Sequence, residues 1–377
     1  MNKQPNESPK ECLLCGKCME VCPVFKATTR EELSPRGKAF LLRMFKELNI
    51  GIKDTAQLAK LCAGCRKCLK ACPQRIDLPL EIARIKSKHP DWKSWILSRI
   101  INSGSGILPA AKKVSYIMPD SAPFLKKSLK PKAHTSPLLI AKRKENKTGQ
   151  KAVIFPGCTG RHLRPELGQK AVNLLKLSGY QVIETPDWKC CGYPLGAAGL
   201  FDHENSESLK NLDIWNKLKR PLIFVFCATC LEGLTASFGN HNYPPSMDIF
   251  RQNIFPLLPE IAKLDFELSA PLSHTDIFWH EPCHGTGKSG EIFKNIMSKL
   301  KVELTINSDK CCGMGGSFAI QNFEISSLIA DDFWKNISSS RPLILTDCNG
   351  CVLQLDATAP DNAAAAHWLE IIHPVQI

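Results

Sequence analysis

The chain has 377 residues, of which 44% are hydrophobic and 23% are charged. A chain of this length divides into two or three domains, and most of it can form an apolar core without disulfides or metal ions, so its 18 cysteines need a chemical explanation. The first residues, MNKQPNESPKEC, contain no apolar signal region, and no run approaches the roughly 18 apolar residues of a membrane span. We therefore expect a cytoplasmic protein whose cysteines bind metal ions rather than form disulfides.

The net charge of +13 is concentrated in one segment. From Lys86 to Lys151 there are fifteen Lys or Arg residues and three acidic residues. We interpret residues 89–150, which are rich in Pro, Ser and Lys, as a basic linker with some helix around DWKSWILSRI. A solvated connector and a contact with an acidic partner or an anionic membrane surface both remain open, whereas no DNA- or RNA-binding motif supports a role in nucleic-acid binding.

Residues 1–88 are predicted to form a helical domain around two cysteine motifs. The stretch SPRGKAFLLRMFKEL has a helix-start signal at Ser34 and Pro35 and apolar residues at helical spacing, and LPLEIARIKSK is a second helix candidate. CLLCGKCMEVCP precedes the first of these helices and CAGCRKCLKACP follows it. Both motifs have the form CxxCxxCxxxCP.

This cysteine spacing indicates iron–sulfur clusters rather than zinc. Tetrahedral zinc uses two CxxC pairs, whereas a cubane [4Fe–4S] cluster needs three closely spaced thiolates and a fourth from elsewhere. In two-cluster ferredoxins the fourth cysteine of each motif binds the other cluster. The predicted ligands are therefore Cys12, Cys15, Cys18 and Cys72 for cluster 1, and Cys62, Cys65, Cys68 and Cys22 for cluster 2.

From residue 151 strand and helix patterns alternate, in one order that occurs twice. AVIFPGC, QVIET and PLIFVFC are strand candidates in the first copy, and DIFWHEPC, VELTIN and PLILTDC are their equivalents in the second. In both copies 35 residues separate a CC pair from a final CxxC. We predict two duplicated α/β domains, residues 151–265 and 272–377, with cysteines at the carboxyl ends of strands, where open α/β sheets place ligands.

Each copy contains five cysteines, one more than a four-iron cluster needs. Adjacent cysteines on an extended backbone diverge, so they reach two irons more easily than one, or the extra thiolate bridges irons in an opened cluster. A vicinal disulfide or an unused buried thiol is the structural alternative. The predicted ligands are Cys158, Cys190, Cys191, Cys227 and Cys230 at CCG site 1, and Cys283, Cys311, Cys312, Cys348 and Cys351 at CCG site 2.

Other signals are weaker. HGTGKSG at 284–290 ends like a phosphate loop, but Pro282 occupies the position of its first glycine, and SGSGILP at 103–109 lacks the third glycine and the preceding strand of a dinucleotide fingerprint. We therefore expect no flavin or nicotinamide site in this chain. No catalytic residue is firmly indicated: His280 and His284 flank Cys283 and either donate hydrogen bonds or protons at the cluster or have only a structural role.

The pattern of a cysteine, CCG and CxxC, present twice after a dicluster motif, resembles the CCG-domain (cysteine-rich domain) iron–sulfur protein family. This family includes heterodisulfide reductase B and D subunits and the iron–sulfur subunits of glycolate oxidase, D-lactate dehydrogenase and anaerobic glycerol-3-phosphate dehydrogenase. SPRGKAFLL is similar to the glycolate-oxidase type, and HEPCHGTG and CCGMGGSFA look like lactate-utilisation relatives. The resemblance implies an α+β multidomain protein with two [4Fe–4S] clusters and one or two further, cubane or noncubane, clusters in the CCG domains.

The resemblance also implies a function. We expect an iron–sulfur subunit that passes electrons from a partner flavoprotein oxidising a 2-hydroxy acid (glycolate or lactate) toward a quinone-linked acceptor, with a membrane quinone-reactive or cytochrome b subunit as a further partner. Such a subunit is inactive on substrate alone and is cytoplasmic or peripheral on the inner membrane face. Both cysteines of each final CxxC are present, where the glycolate-oxidase relatives commonly keep one. A heterodisulfide-reductase-like subunit that reduces a disulfide therefore remains an alternative.

Overall fold

The computed structural model describes residues 11–48, 60–89, 138–142, 148–239, 241–269, 276–316 and 318–375. The helix expected around DWKSWILSRI and most of the basic linker lie outside these residues. In this description the chain has an N-terminal region of helices and two α/β halves, which we call the first half (148–269) and the second half (276–375). The predicted α+β class is confirmed.

The described residues of the N-terminal region contain helices and no strand. The longest helix begins at Pro35, as its start signal predicts, because proline needs no backbone N–H donor in the first turn. Asp77 caps the last helix by accepting a hydrogen bond from Leu80 N at 3.1 Å. The elements are α1 (Pro23–Thr28), a 3₁₀ turn (Glu31–Leu33), α2 (Pro35–Leu48), α3 (Lys67–Ala71) and α4 (Leu78–Lys88).

The first half is built around a parallel four-stranded sheet in the order β3-β2-β4-β5. Its central strands are almost continuously apolar and buried, as expected when helices cover both faces of a sheet. The elements are β2 (Lys151–Phe155), α5 (Gly157–His162), α6 (Pro165–Leu177), β3 (Gln181–Val182), α7 (Tyr193–Ala197), α8 (Phe201–Lys217), β4 (Leu222–Val225), α9 (Ala228–Thr235), α10 (Ser246–Gln252), β5 (Ile254–Pro256), α11 (Leu257–Ile261) and β6 (Asp265–Leu268).

The second half repeats this topology with a parallel sheet in the order β8-β7-β9-β10. Its first strand is again central, its second lies at the edge, and its third and fourth follow on the other side. The elements are β7 (Asp276–His280), α12 (Ser289–Lys299), β8 (Thr305–Asn307), α13 (Phe318–Gln321), α14 (Phe323–Lys335), β9 (Pro342–Thr346), α15 (Asn349–Thr358), β10 (Ala364–His367), a 3₁₀ turn (Trp368–Ile371) and β11 (Ile372–Pro374).

A small third sheet joins the two halves and differs from the sequence prediction. Strand β1 (Leu139–Lys142) lies inside the segment interpreted as the basic linker, and it pairs in parallel with β11 and antiparallel with β6. Its residues Leu139 and Ala141 are fully buried. Residues 139–142 are therefore part of the folded unit, and the interpretation of 89–150 as a connector is wrong for this stretch.

The two halves share one hydrophobic core, and the N-terminal region packs against both. Val24 and Leu33 of the N-terminal region lie in one apolar cluster with Phe318 and Ile329 of the second half. On the other side, α4 packs against α7 of the first half. In the described residues no helix combines the length and the apolar character needed to cross a membrane.

Candidate metal centres

The two N-terminal cysteine motifs share one backbone conformation. In each, the second residue after the first cysteine and the residue after the second cysteine have positive φ, at Leu14 (54°) and Gly16 (83°) in the first motif and at Gly64 (68°) and Arg66 (53°) in the second. Left-handed residues at these positions curl the chain tightly. This conformation lets three thiols of one short loop face a common point.

The structure brings together the cysteines that were predicted to form cluster 1. Burial raises the pKa of the Cys18 thiol, and the charges of the Cys12, Cys15 and Cys72 thiolates raise it further. Cys15 is exposed. Group 1, which we define as Cys12, Cys15, Cys18 and Cys72, therefore lies near the surface of the protein.

The second N-terminal set, group 2, consists of Cys22, Cys62, Cys65 and Cys68. Burial raises the pKa of Cys68 far above its usual value, and the charges of Cys62, Cys65 and Cys22 add to this effect. The exchange of Cys22 and Cys72 between the motifs follows from their positions, because Cys22 is the residue before α1 and Cys72 the residue after α3. Assignment of these sets to two clusters remains a prediction.

In the first half, four of the five cysteines are buried and the fifth, Cys158, is partly exposed. Cys191 lies at the centre of the site. Hydrogen bonds from the Cys190 and Cys230 thiols lower the pKa of Cys191, while burial and then the charge of Cys191 raise the pKa of Cys158. The five predicted cysteines of CCG site 1 are therefore neighbours, with Cys191 prepared to be a thiolate.

CCG site 2 has the same arrangement around Cys312. The thiol of Cys312 lies 3.0 Å from that of Cys351, and the neighbouring side chains of Cys311, Cys351 and His280 lower the pKa of Cys312. The pKa of Cys283 is raised to about 12, first by burial and then by the charges of Cys312 and Cys348. Iron binding must displace protons from such thiols, so it is favoured at higher pH.

The glycine of each CCG motif has a geometric role. Gly192 and Gly313 have φ of 87° and 89°, and the backbone N–H of each donates to the sulfur of the first cysteine of its pair at 3.4 Å. A Cβ at Gly313 would lie 2.7 Å from Ser326 O. Only glycine adopts this turn without strain, so the turn that aims two adjacent thiols into the site requires it.

The two histidines of HEPCHG occupy different positions. His280 is the last residue of β7, is 1% exposed and contacts Cys312. His284 is one step further from sulfur, because its Nε2 lies 2.6 Å from the hydroxyl of Tyr193 and its Nδ1 lies 3.3 Å from that of Thr229. Thr229 in turn lies 3.2 Å from the sulfur of Cys348. A proton-donating role for either histidine remains a prediction.

Sequence reasoning missed Tyr193 and Thr229, which connect separate regions. Tyr193 also donates a hydrogen bond to Gly64 O at 3.0 Å, inside the loop of group 2. Thr229 belongs to the first half, although its sulfur partner belongs to the second. The only available signal was the position of Thr229 inside CATC, and no sequence signal marks Tyr193.

The segment HGTGKSG does not form a phosphate-binding loop in the structure. The carboxylate of Glu281 accepts hydrogen bonds from Ser289 Oγ at 2.9 Å and from Gly290 N at 2.7 Å. These groups form the N-terminus of α12, where a phosphate would bind. The protein's own carboxylate therefore occupies that position.

Three pairs of neighbouring cysteines arrange the four cysteine groups in one row. Cys18 of group 1 adds to the raised pKa of Cys68 in group 2. Cys65 of group 2 lies near Cys283 and Cys311 of CCG site 2. Cys227 of site 1 lies near Cys348 of site 2 and lowers its pKa. The spatial order is therefore group 1, group 2, site 2, site 1, which differs from the order along the chain.

The donor set fits iron–sulfur clusters. Each site presents four or five thiols, the soft ligands that such clusters need, and those of CCG sites 1 and 2 are mostly buried. A Cβ at Gly157, which has φ of 68°, would lie 2.6 Å from Cys230 Sγ, so the backbone approaches this thiol more closely than a side chain would permit. The number of clusters and their cubane or noncubane form remain predictions.

Comparisons with known proteins agree with this chemistry. Residues 8–76 match the 4Fe-4S dicluster domain, and residues 152–235 and 277–356 match the cysteine-rich domain. The glycolate oxidase iron-sulfur subunit of Escherichia coli (strain K12) is 24% identical over 96% of this chain and 93% of its own.

Two further relatives belong to other systems. One component of the anaerobic glycerol-3-phosphate dehydrogenase from the same organism is 26% identical over 54% of each chain. One component of the fumarate reductase (CoM/CoB) of Methanothermobacter marburgensis is 22% identical over 93% of this chain and 68% of its own. All three are subunits of oxidoreductases.

Proposed function

Since the chain belongs to the CCG-domain (cysteine-rich domain) iron–sulfur protein family, we propose that it is the electron-transfer subunit of a flavin-dependent 2-hydroxy-acid dehydrogenase of the glycolate or lactate type. Its task is to take electrons from a partner flavoprotein and pass them toward a quinone-linked acceptor. It is inactive on the hydroxy acid alone. In the cell we place it in the cytoplasm or on the inner face of the membrane.

The row of four cysteine groups is the observation that carries this proposal. Each group lies near the next through a pair of cysteines whose charges influence each other's pKa, Cys18 with Cys68, Cys65 with Cys283, and Cys227 with Cys348. Bound iron–sulfur clusters supply the ability to accept and release single electrons. A binding protein or a metal-stabilised scaffold has no use for a continuous row that joins three domains.

The chain's own residues prepare the row for electron transfer by excluding water and fixing the thiols. The four thiols of CCG site 1 that are buried, and the four of site 2, have exposed fractions between 3% and 7%. The glycine turns of the CCG motifs and the hydrogen bond between Thr229 and Cys348 hold the sulfur atoms in place. Little rearrangement therefore accompanies a change of charge.

Support for a hydroxy acid comes from the relatives. The E. coli relative that spans almost the whole chain is a glycolate oxidase subunit, and another relative is a lactate utilization protein. The motifs that are typical of flavin and nicotinamide sites are absent from the sequence. Substrate oxidation must then take place on a partner, which we propose is a flavoprotein, with a quinone-reactive or cytochrome b subunit as the next acceptor.

Reduction of the purified, iron-loaded subunit tests this proposal. Glycolate or lactate alone should leave its visible absorption unchanged, whereas dithionite should reduce it and a water-soluble quinone should reoxidise it. A Cys312→Ala, Cys351→Ala variant should retain the iron of the N-terminal groups. The quinone should reoxidise only part of the centres that remain in this variant. Direct reduction by the hydroxy acid without another protein, or clusters that do not change oxidation state, would contradict the proposal.

Disulfide reduction is a second candidate, favoured by one observation. Sites 1 and 2 each have five cysteines and meet at Cys227 and Cys348, so two clusters could act on one small molecule. The fumarate reductase (CoM/CoB) relative also supports this candidate. Addition of a thiol disulfide and a one-electron donor to the purified subunit separates the two, since steady turnover would favour disulfide reduction over the carrier function.

A further inference from the structure

CCG sites 1 and 2 differ at the end of their central strands. Phe155 is the last residue of β2 and His280 the last residue of β7, and each precedes the first cysteine of its site by three positions. The motifs FPGC and HEPC therefore place a phenyl ring at the end of one central strand and an imidazole at the end of the other. Because the two halves are duplicated, Phe155 shows what the position of His280 looks like without an imidazole.

The imidazole of His280 is directed at the thiols. One of its ring nitrogens and the sulfur atoms of Cys312 and Cys351 all lie within 4.8 Å of one another, so the ring is within reach of these thiols. Its Nδ1 is buried and has no hydrogen-bond partner in the described part of the chain. The ring packs edge-on against Phe333 at 5.2 Å. The contact of this ring with sulfur is therefore its main polar contact in the structure.

The surroundings of site 1 have the opposite character. Phe155 packs against Trp188 at 5.5 Å and offers no donor. The buried carboxylate of Glu207 accepts a hydrogen bond from Cys190 N at 3.2 Å and is paired on its outer side with Lys210. Site 2 instead has Lys67 and Lys70 close to Cys283. Carboxyl groups also lie beside site 2, since burial raises the pKa of Asp347, the residue before Cys348, and the charges of Glu281 and Cys348 raise it further. The difference that matters is therefore the ring at the strand end, an imidazole beside the thiols of site 2 and a phenyl ring at the corresponding position of the first half.

We propose that His280 tunes CCG site 2 by donating a hydrogen bond to the sulfur of Cys312, and that site 2 therefore has a higher reduction potential than site 1. The proposal rests on the proposed function, in which both sites hold iron–sulfur clusters. Reduction adds one electron and makes the sulfur more negative, so a donor stabilises the reduced state more than the oxidised one. No bond forms or breaks in this step.

The consequence is an order of reduction within the row. Site 2 is the site that lies next to group 2, through Cys65 and Cys283. Electrons that arrive from the N-terminal region are held at site 2 first, and site 1 is reduced only at lower potential. His280 is thus a positioning residue of the relay and not a catalytic one.

Potentiometric titration followed by electron paramagnetic resonance tests the proposal. The signal that disappears in a Cys351→Ala variant is assigned to site 2, and the signal that disappears in Cys230→Ala to site 1. In the unmodified protein site 2 should be reduced before site 1. His280→Phe, which copies Phe155, should decrease the ratio of reduced to oxidised site 2 at least tenfold at a fixed potential, which is about 59 mV for one electron.

Two further variants are the controls. His280→Gln retains an N–H donor and should restore most of the potential, whereas His373→Phe, at an exposed position of β11, should change nothing. An unchanged site 2 potential in iron-loaded His280→Phe, or reduction of site 1 before site 2 in the unmodified protein, overturns the inference.

A measurement on the unmodified protein covers the case in which His280→Phe binds no iron. Labelling of histidine with ¹⁵N should alter the nitrogen hyperfine coupling of the site 2 signal and leave that of site 1 unchanged. The altered coupling should survive in His284→Gln. A site 2 signal without histidine coupling would overturn this inference but would leave the proposed electron-transfer function intact. Absence of iron and sulfide from both CCG sites would contradict the proposed function itself.

Discussion

The first and second halves have the same strand order and the same five cysteines, but their contacts outside the sheets differ. In the second half, His280 touches the site, and Lys67 and Lys70 approach it from the N-terminal region. In the first half, Phe155 takes the histidine's place and the buried Glu207 lies beside Cys190. Duplication has thus kept the scaffold and the cysteines, while the side chains beside them differ.

This difference indicates separate roles for two sites of the same design. Site 2 lies between group 2 and site 1, so it is the internal member of the row, and site 1 is the end. If the two sites had identical thiols and identical surroundings, an electron would have no preference for either site. In the relay that we propose, the unequal surroundings make site 2 the site that is reduced first.

The largest expected effect is at Gly157, whose equivalent in the second half is Pro282. Gly157→Ala should abolish iron binding at site 1 and leave site 2 loaded, because the new Cβ would lie 2.6 Å from Cys230 Sγ. The positive φ adds about 1–3 kcal/mol of strain. Iron and sulfide analysis with electron paramagnetic resonance measures the result.

Gly149 is the matched control, since it also has positive φ (64°) but nothing lies within 4 Å of a Cβ built there. Gly149→Ala should therefore cost stability without loss of iron. Equal iron content in Gly157→Ala and Gly149→Ala would contradict the close approach of backbone and thiol at site 1.

The next largest effect is on the free energy of unfolding, and it compares the contact of the N-terminal region with the first half to its contact with the second half. Arg66 forms an ion pair with Glu232 of the first half at 2.7 Å, and its neighbour Lys67 hydrogen-bonds to carbonyls of Ser308 and Asp309 in the second. Arg66→Met should destabilise the protein by about 1–2 kcal/mol, because the pair is only partly buried. We expect a smaller decrease, about 0.5 kcal/mol, for Lys67→Met. Urea unfolding of both variants measures the difference, and a larger loss from Lys67→Met would reverse our ranking.

The pH dependence of stability tests the contact that His367 makes between the two halves. Its Nε2 donates to Phe226 O at 3.0 Å and its Nδ1 accepts from Leu369 N at 3.2 Å, so the neutral ring is fully hydrogen-bonded. Burial lowers the pKa of His367 to about 3. Because the folded pKa lies below the unfolded value of about 6.5, this contribution is complete above pH 6.5 and is lost as pH falls toward 3.

Between pH 7.5 and 5.5 the free energy of unfolding should therefore decrease by about 1.4 kcal/mol from this residue alone. His367→Gln should be less stable at pH 7.5 and should show a flatter pH dependence over this range. The same slope in the variant and in the unmodified protein would mean that another group is responsible.

The smallest effect concerns Thr229, which gives site 2 a hydroxyl contact that site 1 does not receive. The equivalent position in CNGC is Gly350, which has no hydroxyl to offer Cys227. Thr229→Val should lower the reduction potential of site 2 by less than about 59 mV, which corresponds to less than a tenfold change in the ratio of reduced to oxidised centre. Thr229→Ser should restore it. A shift confined to site 1 would contradict the contact between Thr229 and Cys348.

Much of the scaffold could be predicted from the sequence because it depends on local patterns. The apolar runs PLIFVFC and PLILTDC are strands that end just before cysteines, as expected for buried parallel strands. Strands β1, β6 and β11 could not be predicted, because each has only three or four residues and too short a pattern. Their existence depends on pairing between segments that are far apart in the chain.

The neighbours of the cysteines were harder to predict than the cysteines themselves. Spacing alone identified the four groups, since cluster ligation imposes fixed intervals. The position of site 2 next to group 2 depends on how the N-terminal helices dock, for example through Val24 and Ile329. Contacts of that kind carry no periodic signal, and therefore the spatial order of the row became visible only in the structure.

The central claim is that CCG site 2 lies between the N-terminal groups and site 1 in a single relay. A Cys312→Ala, Cys351→Ala variant should still be reduced at groups 1 and 2 by a protein-sized one-electron donor, but reduction of site 1 on the millisecond timescale should be lost. Removal of site 1 through Cys191→Ala and Cys230→Ala should leave the reduction of site 2 unchanged. Reduction of site 1 at the unmodified rate without site 2, measured by freeze-quench electron paramagnetic resonance, would contradict the account.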